Sequence, residues 1–248
     1  MGSAIGHIIC LFGTKGGVGR STIAVNLGVA FGLQGHSSVI VDMNFHIGVT
    51  DMMLGASPEK AIDGLIRAQD YENSGDYLTV YNENVSLLAP PARPELSLHL
   101  DSHGAAAILG ALKPHFDFIV VDLPSSIANH VAGALETADF IGLVAKNDVV
   151  SVKNAVFALQ SLALLGFDLQ TIRLILNQFD WRGLTREEVE KAIGLPVFWR
   201  IDWDKKMLEA MNKSEPFILY DPQSVASQSL KRLALALAIE FGKSKGKK

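Results

Sequence analysis

One stretch near the start of the chain reads Gly13-Thr-Lys-Gly-Gly-Val-Gly-Arg-Ser-Thr22, and it decides the fold. It follows a short apolar run, residues 8–12, and leads into a segment with apolar residues at helical spacing, residues 22–34. Small residues in such a loop let backbone N–H groups surround phosphate oxygens, and the N-terminus of the helix adds further donors. The strand before the loop, the helix after it and the hydroxyl pair Ser21 and Thr22 together predict a phosphate-binding loop. Ser21 is predicted to ligate Mg²⁺ through its hydroxyl.

The rest of the chain alternates predicted strands with predicted helices. Continuous apolar runs, which are expected of strands buried on both faces, lie at residues 39–42, 85–88, 118–122, 140–144 and 172–177. Helical spacing is found at residues 59–68, 103–113, 126–136, 151–165, 186–193, 205–212 and 224–241. This order predicts an α/β fold of three layers, in which a mostly parallel, twisted sheet carries helices on both faces. No repeat or change of composition divides the chain, so residues 1–242 are predicted to form a single domain.

Composition and charge narrow the classes of protein. Hydrophobic residues make up 48% of the 248 residues and charged residues 19%, as in a globular fold with a sizeable core. No apolar run reaches the roughly 18 residues of a membrane span, and the first residues do not resemble a secretory signal. The net charge of −4 argues against a chain that binds polyanions over its whole surface. Residues 243–248 contain four lysines and are predicted to be a basic, flexible tail, which could contact nucleic acid or acidic lipid or simply be solvated.

Two carboxylates end predicted strands. Asp42 closes the strand at residues 39–42, and Asp122 closes the strand at residues 118–122. Ligands of parallel α/β sheets bind at this carboxyl edge, so both side chains are expected to face the phosphate loop. Asp122 is predicted to hold Mg²⁺ together with Ser21; the alternative is that it only caps the following segment.

The order Lys-Gly-Gly-Val-Gly within the loop resembles the deviant Walker A motif of the ParA/MinD superfamily of P-loop ATPases. The resemblance implies that the chain binds ATP with Mg²⁺ and forms a homodimer that sandwiches the nucleotides. It places ATP contacts at the loop residues Gly16, Gly17, Val18, Gly19, Arg20, Ser21 and Thr22. It also implies that Lys15 reaches the phosphates bound by the partner subunit.

At two positions the chain departs from the superfamily. Arg20 stands where relatives have a second lysine; arginine keeps the charge but has a planar head instead of an ammonium. Relatives usually have Asp-x-Asp after the second strand, whereas this chain has Asp42-Met-Asn44, and an asparagine cannot take a proton from water. The residues expected to take part in ATP hydrolysis are Lys15, Arg20, Asp42 and Asn44. The replacements at positions 20 and 44 predict that ATP binds more readily than it is hydrolysed.

The base of the nucleotide is expected near the end of the strand at residues 172–177. The segment Ile172-Arg-Leu-Ile-Leu-Asn-Gln-Phe-Asp180 resembles the adenine side of the superfamily, which assigns Asn177 and Gln178 to the base. Asp202 stands where relatives often have proline and is assigned to the same pocket. Three tryptophans near this side, Trp181, Trp199 and Trp203, could form a partner surface, but packing around the last strand explains them equally well.

Three further segments look like the CpaE/TadZ branch of the superfamily, which is linked to Tad pilus assembly at a cell pole. They are residues 41–55, 88–95 and 147–154. This resemblance implies a cytoplasmic, nucleotide-dependent switch that binds ATP or ADP and localises pilus or secretion machinery, with possible recruitment to a pole or a membrane surface. The alternative is a cycling ATPase for DNA partitioning, division-site or flagellar placement. The amphipathic residues 230–241 could contact membrane, as in MinD-type proteins, but core packing is the favoured interpretation.

Overall fold

A computed structural model of the protein describes residues 6–91 and 100–244. Eight strands form one sheet in the order β3-β4-β2-β5-β1-β6-β7-β8, and only β3 runs antiparallel to its neighbour. The strands are β1 His7–Phe12, β2 Ser38–Asp42, β3 Thr79–Val80, β4 Val85–Leu88, β5 Phe118–Asp122, β6 Phe140–Ala145, β7 Ile172–Phe179 and β8 Val197–Asp202. The parallel strands place all their carboxyl ends on one edge of the sheet, where a ligand is expected.

Helices cover both faces of the sheet. They are α1 Arg20–Leu33, α2 Thr50–Leu54, α3 Ile62–Ala68, α4 Ser102–Leu112, α5 Asn129–Thr137, α6 Val149–Leu164, α7 Arg186–Ile193, α8 Lys206–Asn212, α9 Phe217–Tyr220 and α10 Val225–Ser244. Two 3₁₀ turns lie at Tyr71–Tyr77 and Leu169–Thr171. Within the described residues, no helix has both the length and the apolar character needed to cross a bilayer.

The hydrophobic core is split into two layers by the sheet. Along β1, Ile8, Cys10 and Phe12 pack into one layer, and Ile9 and Leu11 pack into the other. A strand that is buried on both faces is apolar along its interior, which explains why the central strands contain continuous apolar runs. The predicted three-layer α/β fold is confirmed.

Several predicted boundaries and omissions need correction. The helix predicted at 59–68 begins only at Ile62, and β8 and the short elements β3, α2 and α9 were not predicted. β8 escapes detection because it is an edge strand in which Arg200 is exposed, so its apolar run is broken. The core-packing interpretation of residues 230–241 is confirmed, because Leu230, Leu233 and Leu237 are buried. Residues 92–95 of the 88–95 match and residues 245–248 of the basic tail lie outside the described residues.

Candidate nucleotide-binding site

The loop between β1 and α1 has the backbone of a phosphate-binding loop. Gly17 and Gly19 have φ angles of 74° and 89°, in the left-handed region that only glycine adopts without strain. A Cβ atom on Gly19 would lie 2.2 Å from Nδ2 of Asn177, and one on Gly13 would lie 2.6 Å from the carbonyl oxygen of Val144. The glycines are therefore required by conformation at two positions and by close packing at two.

Ser21 and Asp122 form the part of the site that fits a metal ion. The Ser21 hydroxyl donates to Oδ2 of Asp122 at 2.5 Å, while Oδ1 of Asp122 is buried and has no hydrogen-bond partner among the described residues. A hydroxyl and a carboxylate oxygen are hard ligands suited to Mg²⁺. Within the described residues, no three His, Cys, Asp or Glu side chains gather into a metal cage. Mg²⁺ would therefore complete its shell with phosphate oxygens and water, as it commonly does.

Asp42 lies beside Asp122, because the two residues are paired in register on β2 and β5. Asp42 is fully buried. It accepts hydrogen bonds from the backbone N–H of Asn44 at 2.9 Å and from the Thr50 hydroxyl at 2.9 Å. Burial and the neighbouring Asp122 raise the pKa of Asp42 to about 8, against the effect of these hydrogen bonds. Burial also raises the pKa of Asp122 to about 6, although Ser21 and Arg20 favour its ionised form. Two carboxylates this close resist being ionised together.

Arg20 supplies the positive charge next to this pair. Only 9% of its surface is exposed, and its Nη1 donates to the carbonyl oxygen of Leu123 at 2.8 Å. Burial lowers the pKa of Arg20, and the charges of Asp122 and Asp42 oppose that shift. The guanidinium is therefore anchored between the first turn of α1 and the end of β5.

Lys15 is held by its own chain. Its Nζ lies 2.9 and 3.0 Å from the two carboxylate oxygens of Asp148, which also caps α6 through the amide of Ser151. Asn44, two residues after Asp42, is half-buried, and its Nδ2 donates to the carbonyl oxygen of Ile47 at 3.2 Å. In this conformation, Lys15 points toward the start of α6 and the Asn44 amide group is engaged by its own loop.

The expected base side lies at the ends of β7 and β8. Asn177 is buried and donates to the carbonyl oxygen of Val18 at 2.8 Å, so it braces the phosphate loop. Gln178 has a φ of 51°, which is unusual for a residue other than glycine and marks local strain. Asp202 pairs with Arg200 at 2.9 Å at the edge of an open cleft of about 450 Å³.

The three tryptophans have different surroundings. Trp199 is half-buried and donates to the Ser229 hydroxyl at 3.0 Å, so the packing interpretation holds for it. That interpretation is wrong for the other two, because Trp181 is 86% exposed and Trp203 is 56% exposed. Both tryptophans line the cleft beside Asp202, in the loops that follow β7 and β8.

Residues 9–217 match the CobQ/CobB/MinD/ParA nucleotide binding domain family. The chain belongs to this family. The septum site-determining protein MinD of Helicobacter pylori is 27% identical over 97% of this chain and 95% of its own. The sporulation initiation inhibitor protein Soj of Bacillus subtilis is 27% identical over 94% of this chain and 99% of its own. The predicted superfamily is thus confirmed.

Solved structures of the ParA/MinD type share the fold. A ParA family ATPase from Chlorobium tepidum superimposes with a TM-score of 0.87 at 24% identity, covering 94% of this chain and 99% of that one. MinD of Pyrococcus horikoshii, solved with Mg-ADP, gives a TM-score of 0.82 at 22% identity, covering 94% and 96%. These likenesses establish the P-loop NTPase architecture of the ParA/MinD chain described above.

The fold brings most of the predicted site residues of this ParA/MinD chain together. The residues predicted to bind phosphate and metal lie together at the carboxyl edge of the central strands: the phosphate loop with Arg20 and Ser21, and the carboxylates Asp42 and Asp122. Asp202 lies farther out, at the edge strand β8.

Two residues of this region were missed in the sequence. Thr50 binds Asp42, and Asn147 fixes the loop after β7 through bonds from its Nδ2 to the carbonyl oxygens of Asp180 at 2.6 Å and Leu184 at 2.9 Å. Asn147 could have been noticed, because it is a polar residue close after the end of a buried strand.

Proposed function

We propose that this chain is an ATP- and Mg²⁺-dependent dimeric switch that positions other cellular machinery and hydrolyses ATP slowly. The observation that carries the proposal is the phosphate loop with Ser21 and Asp122 beside it. One buried carboxylate oxygen of Asp122 has no hydrogen-bond partner among the residues that the structure describes. That oxygen and the Ser21 hydroxyl would hold Mg²⁺, and the ion would neutralise charge on the β- and γ-phosphates. Asn177 and Gln178 would lie beside the adenine base of the nucleotide.

Dimerisation would depend on Lys15. To reach a partner's phosphates, Lys15 has to leave Asp148, and both side chains are partly exposed, so little stability opposes the change. ATP-bound subunits would then be held together by a cation that ADP-bound subunits engage less well, because ADP lacks the γ-phosphate.

Slow turnover follows from two replacements. Asn44 can orient a water molecule but cannot accept its proton. Arg20 is anchored to the Leu123 carbonyl, so it has less freedom than a lysine to follow the charge that moves during phosphoryl transfer.

The partner and place in the cell belong to the same proposal. The segments at 41–55 and 147–154 resemble the CpaE/TadZ branch, and we assign the protein to the localisation of pilus or secretion machinery at a cell pole. It would act in the cytoplasm and be recruited to the membrane surface or the pole. A solved relative, MinD of Aquifex aeolicus, is in complex with MinC, which shows that one such fold binds a partner protein.

A cycling ATPase for DNA partitioning is the second candidate. It is favoured by the likeness to Soj proteins, including the chromosome-partitioning ATPase Soj of Treponema pallidum at 28% identity. It predicts rapid, partner-stimulated hydrolysis and salt-sensitive binding to duplex DNA.

The test measures ATP binding, dimerisation and phosphate release on the wild type and on Lys15→Ala. Lys113→Ala is the matched control, because Lys113 pairs with Asp139 at 3.1 Å with similar exposure at the opposite edge of the sheet. The proposal expects ATP binding in all three proteins, a dimer that only Lys15→Ala loses, and little phosphate release. Steady turnover raised by DNA would favour the second candidate, and absence of ATP binding would refute both.

A further inference from the structure

Lys146 is a half-buried lysine whose ammonium group makes no hydrogen bond or ion pair within the described part of the chain. It directly follows β6, and its backbone N–H donates to the Ser151 hydroxyl at 2.8 Å, so its backbone is fixed against the start of α6. Burial lowers the pKa of Lys146 and the charge of Lys15 lowers it further, whereas the charge of Asp148 opposes the shift. A cation in these surroundings would be stabilised by a carboxylate within hydrogen-bonding distance.

Asp148 is the carboxylate closest to Lys146 along the chain, but Lys15 occupies it. Two residues span at most about 7 Å of extended chain, a distance that the flexible side chain of a lysine can bridge. Lys146 and Asp148 also line the same open cleft of about 380 Å³. Both carboxylate oxygens of Asp148 accept from Nζ of Lys15, at 2.9 and 3.0 Å. Two lysines therefore lie within reach of one carboxylate, and only one of them is paired with it.

The backbone between the two competing residues is held in place. Asn147 is buried, and its Nδ2 donates to the carbonyl oxygens of Asp180 at 2.6 Å and Leu184 at 2.9 Å. Its own carbonyl oxygen accepts from the backbone N–H of Leu184 at 2.8 Å. Asp148 in turn accepts from the N–H of Ser151 at 2.8 Å and caps α6. A change of partner at Asp148 would therefore need only rotations of side chains, without rebuilding the loop.

We propose that Lys146 replaces Lys15 on Asp148 when Lys15 turns to the phosphates of a partner subunit. We call this exchange the lysine handover. It rests on the proposed function, in which dimerisation requires the release of Lys15, and it specifies how that release is regulated. The side chains of Lys15 and Asp148 are 31% and 43% exposed, so their ion pair contributes modestly to stability. A second lysine–aspartate pair of the same chemistry would offset much of what the release costs.

The first experiment measures the ATP-dependent dimer of the full chain by sedimentation. Lys146→Met keeps the length of the side chain and removes its charge, so Asp148 loses the substitute cation and the dimer should weaken about two- to fivefold. Lys146→Arg keeps a cation and should retain most of the wild-type affinity. Lys191→Met is the control, because Lys191 is an exposed lysine of α7 that does not line the cleft, and its dimer should match the wild type.

The same substitution in Asp148→Asn separates the handover from a direct contact. Without the carboxylate there is no partner to exchange, so Lys146→Met should weaken the dimer of Asp148→Asn much less than that of the wild type. Equal weakening in both chains would mean that Lys146 acts directly on the nucleotide or on the partner subunit, and it would overturn the proposal. A wild-type dimer whose affinity does not respond to Lys146→Met would overturn it as well.

A second experiment needs neither ATP nor a dimer. Lysine amines of the free chain are acylated, and the rate at each lysine is measured by mass spectrometry. In Lys15→Ala the carboxylate of Asp148 is available, so Lys146 should pair with it and react about two- to fivefold more slowly than in the wild type. Adding Asp148→Asn to Lys15→Ala should make the reaction faster again, whereas an unchanged rate in Lys15→Ala would contradict the handover. A wild-type chain that binds ATP but stays monomeric would refute the proposed dimeric switch, and the acylation rates would still decide whether Lys146 replaces Lys15 on Asp148.

Discussion

Replacing Gly19 by alanine should damage the fold and the site through a clash that can be located to one atom. The new Cβ would lie 2.2 Å from Nδ2 of Asn177, which donates to the Val18 carbonyl oxygen at 2.8 Å. Asn177 would have to move and leave a buried hydrogen bond broken, at about 1–3 kcal/mol. The left-handed backbone at φ 89° adds about 1–2 kcal/mol for any residue with a side chain. We expect the free energy of unfolding to fall by roughly 2–5 kcal/mol.

Two neighbouring glycines separate the clash from the backbone strain. Gly17 has a φ of 74°, and within the described part of the chain no atom lies within 4 Å of a Cβ placed on it, so Gly17→Ala should cost only the backbone strain, about 1–2 kcal/mol. Gly16 has no positive φ and, among the same residues, no close neighbour, so Gly16→Ala should leave stability unchanged or raise it by about 0.4–1 kcal/mol.

Urea unfolding of the three variants and the wild type gives the free energies, and a fluorescent ATP analogue reports nucleotide binding. The expected order of stability is Gly16→Ala, then Gly17→Ala, then Gly19→Ala, and ATP binding should be weakest in the last. If Gly19→Ala were no less stable than Gly17→Ala, the contact with Asn177 would not constrain the loop, and the reasoning would be refuted.

Three further predictions concern charged and hydrogen-bonded groups. The affinity for Mg²⁺, measured calorimetrically in the presence of ADP, should fall about tenfold between pH 7 and pH 5. The raised pKa of Asp122, about 6, leaves roughly a tenth of this carboxylate ionised at pH 5. Asp122→Asn should lose this pH dependence, and a wild-type affinity that does not change with pH would contradict the assignment of Asp122. Asp148→Asn keeps a good helix cap and frees Lys15. Because a partly exposed ion pair contributes about 0.2–1 kcal/mol, the ATP-dependent dimer should become up to about fivefold tighter in sedimentation experiments. An unchanged or weaker dimer would argue against the release of Lys15. Asn147→Ala removes the side-chain bonds that fix the loop after β7, at about 2–3 kcal/mol of local stability, so trypsin should cleave after Arg182 roughly 30- to 150-fold faster. Equal cleavage rates would show that other contacts hold the loop.

Much of the fold could be predicted because the central strands are buried on both faces. From Ile8 to Phe12, the residues of β1 alternate between the two core layers, so this run is apolar and the strand is obvious in the sequence. β8 at the sheet edge is different: Arg200 is exposed within it, and the run loses its apolar signature. Short elements such as α2, with five residues, are too brief for helical spacing to become visible.

The site was predictable where residue type and local position determine chemistry, as for Ser21 in its loop and Asp122 at its strand end. Contacts between distant segments were not. Lys15 and Asp148 are separated by 133 positions, and no local pattern indicates that they form an ion pair. The same limitation applies to Trp181 and Trp203, since loop geometry, and not residue type, determines whether an indole lies on the core or in solvent.

The charges at the end of β2 and β5 explain why arginine is compatible with this position. Burial raises the pKa of both carboxyls, to about 8 for Asp42 and about 6 for Asp122, and the two groups disfavour being ionised together. The pair therefore carries about one negative charge, which the buried guanidinium of Arg20 balances. Mg²⁺ and the phosphates of a nucleotide would enter this nearly neutral site together, and the ion would favour loss of the remaining carboxyl proton. Because Arg20 balances the carboxylates and binds Leu123, its contribution to folding and metal binding can persist even where its contribution to turnover is small.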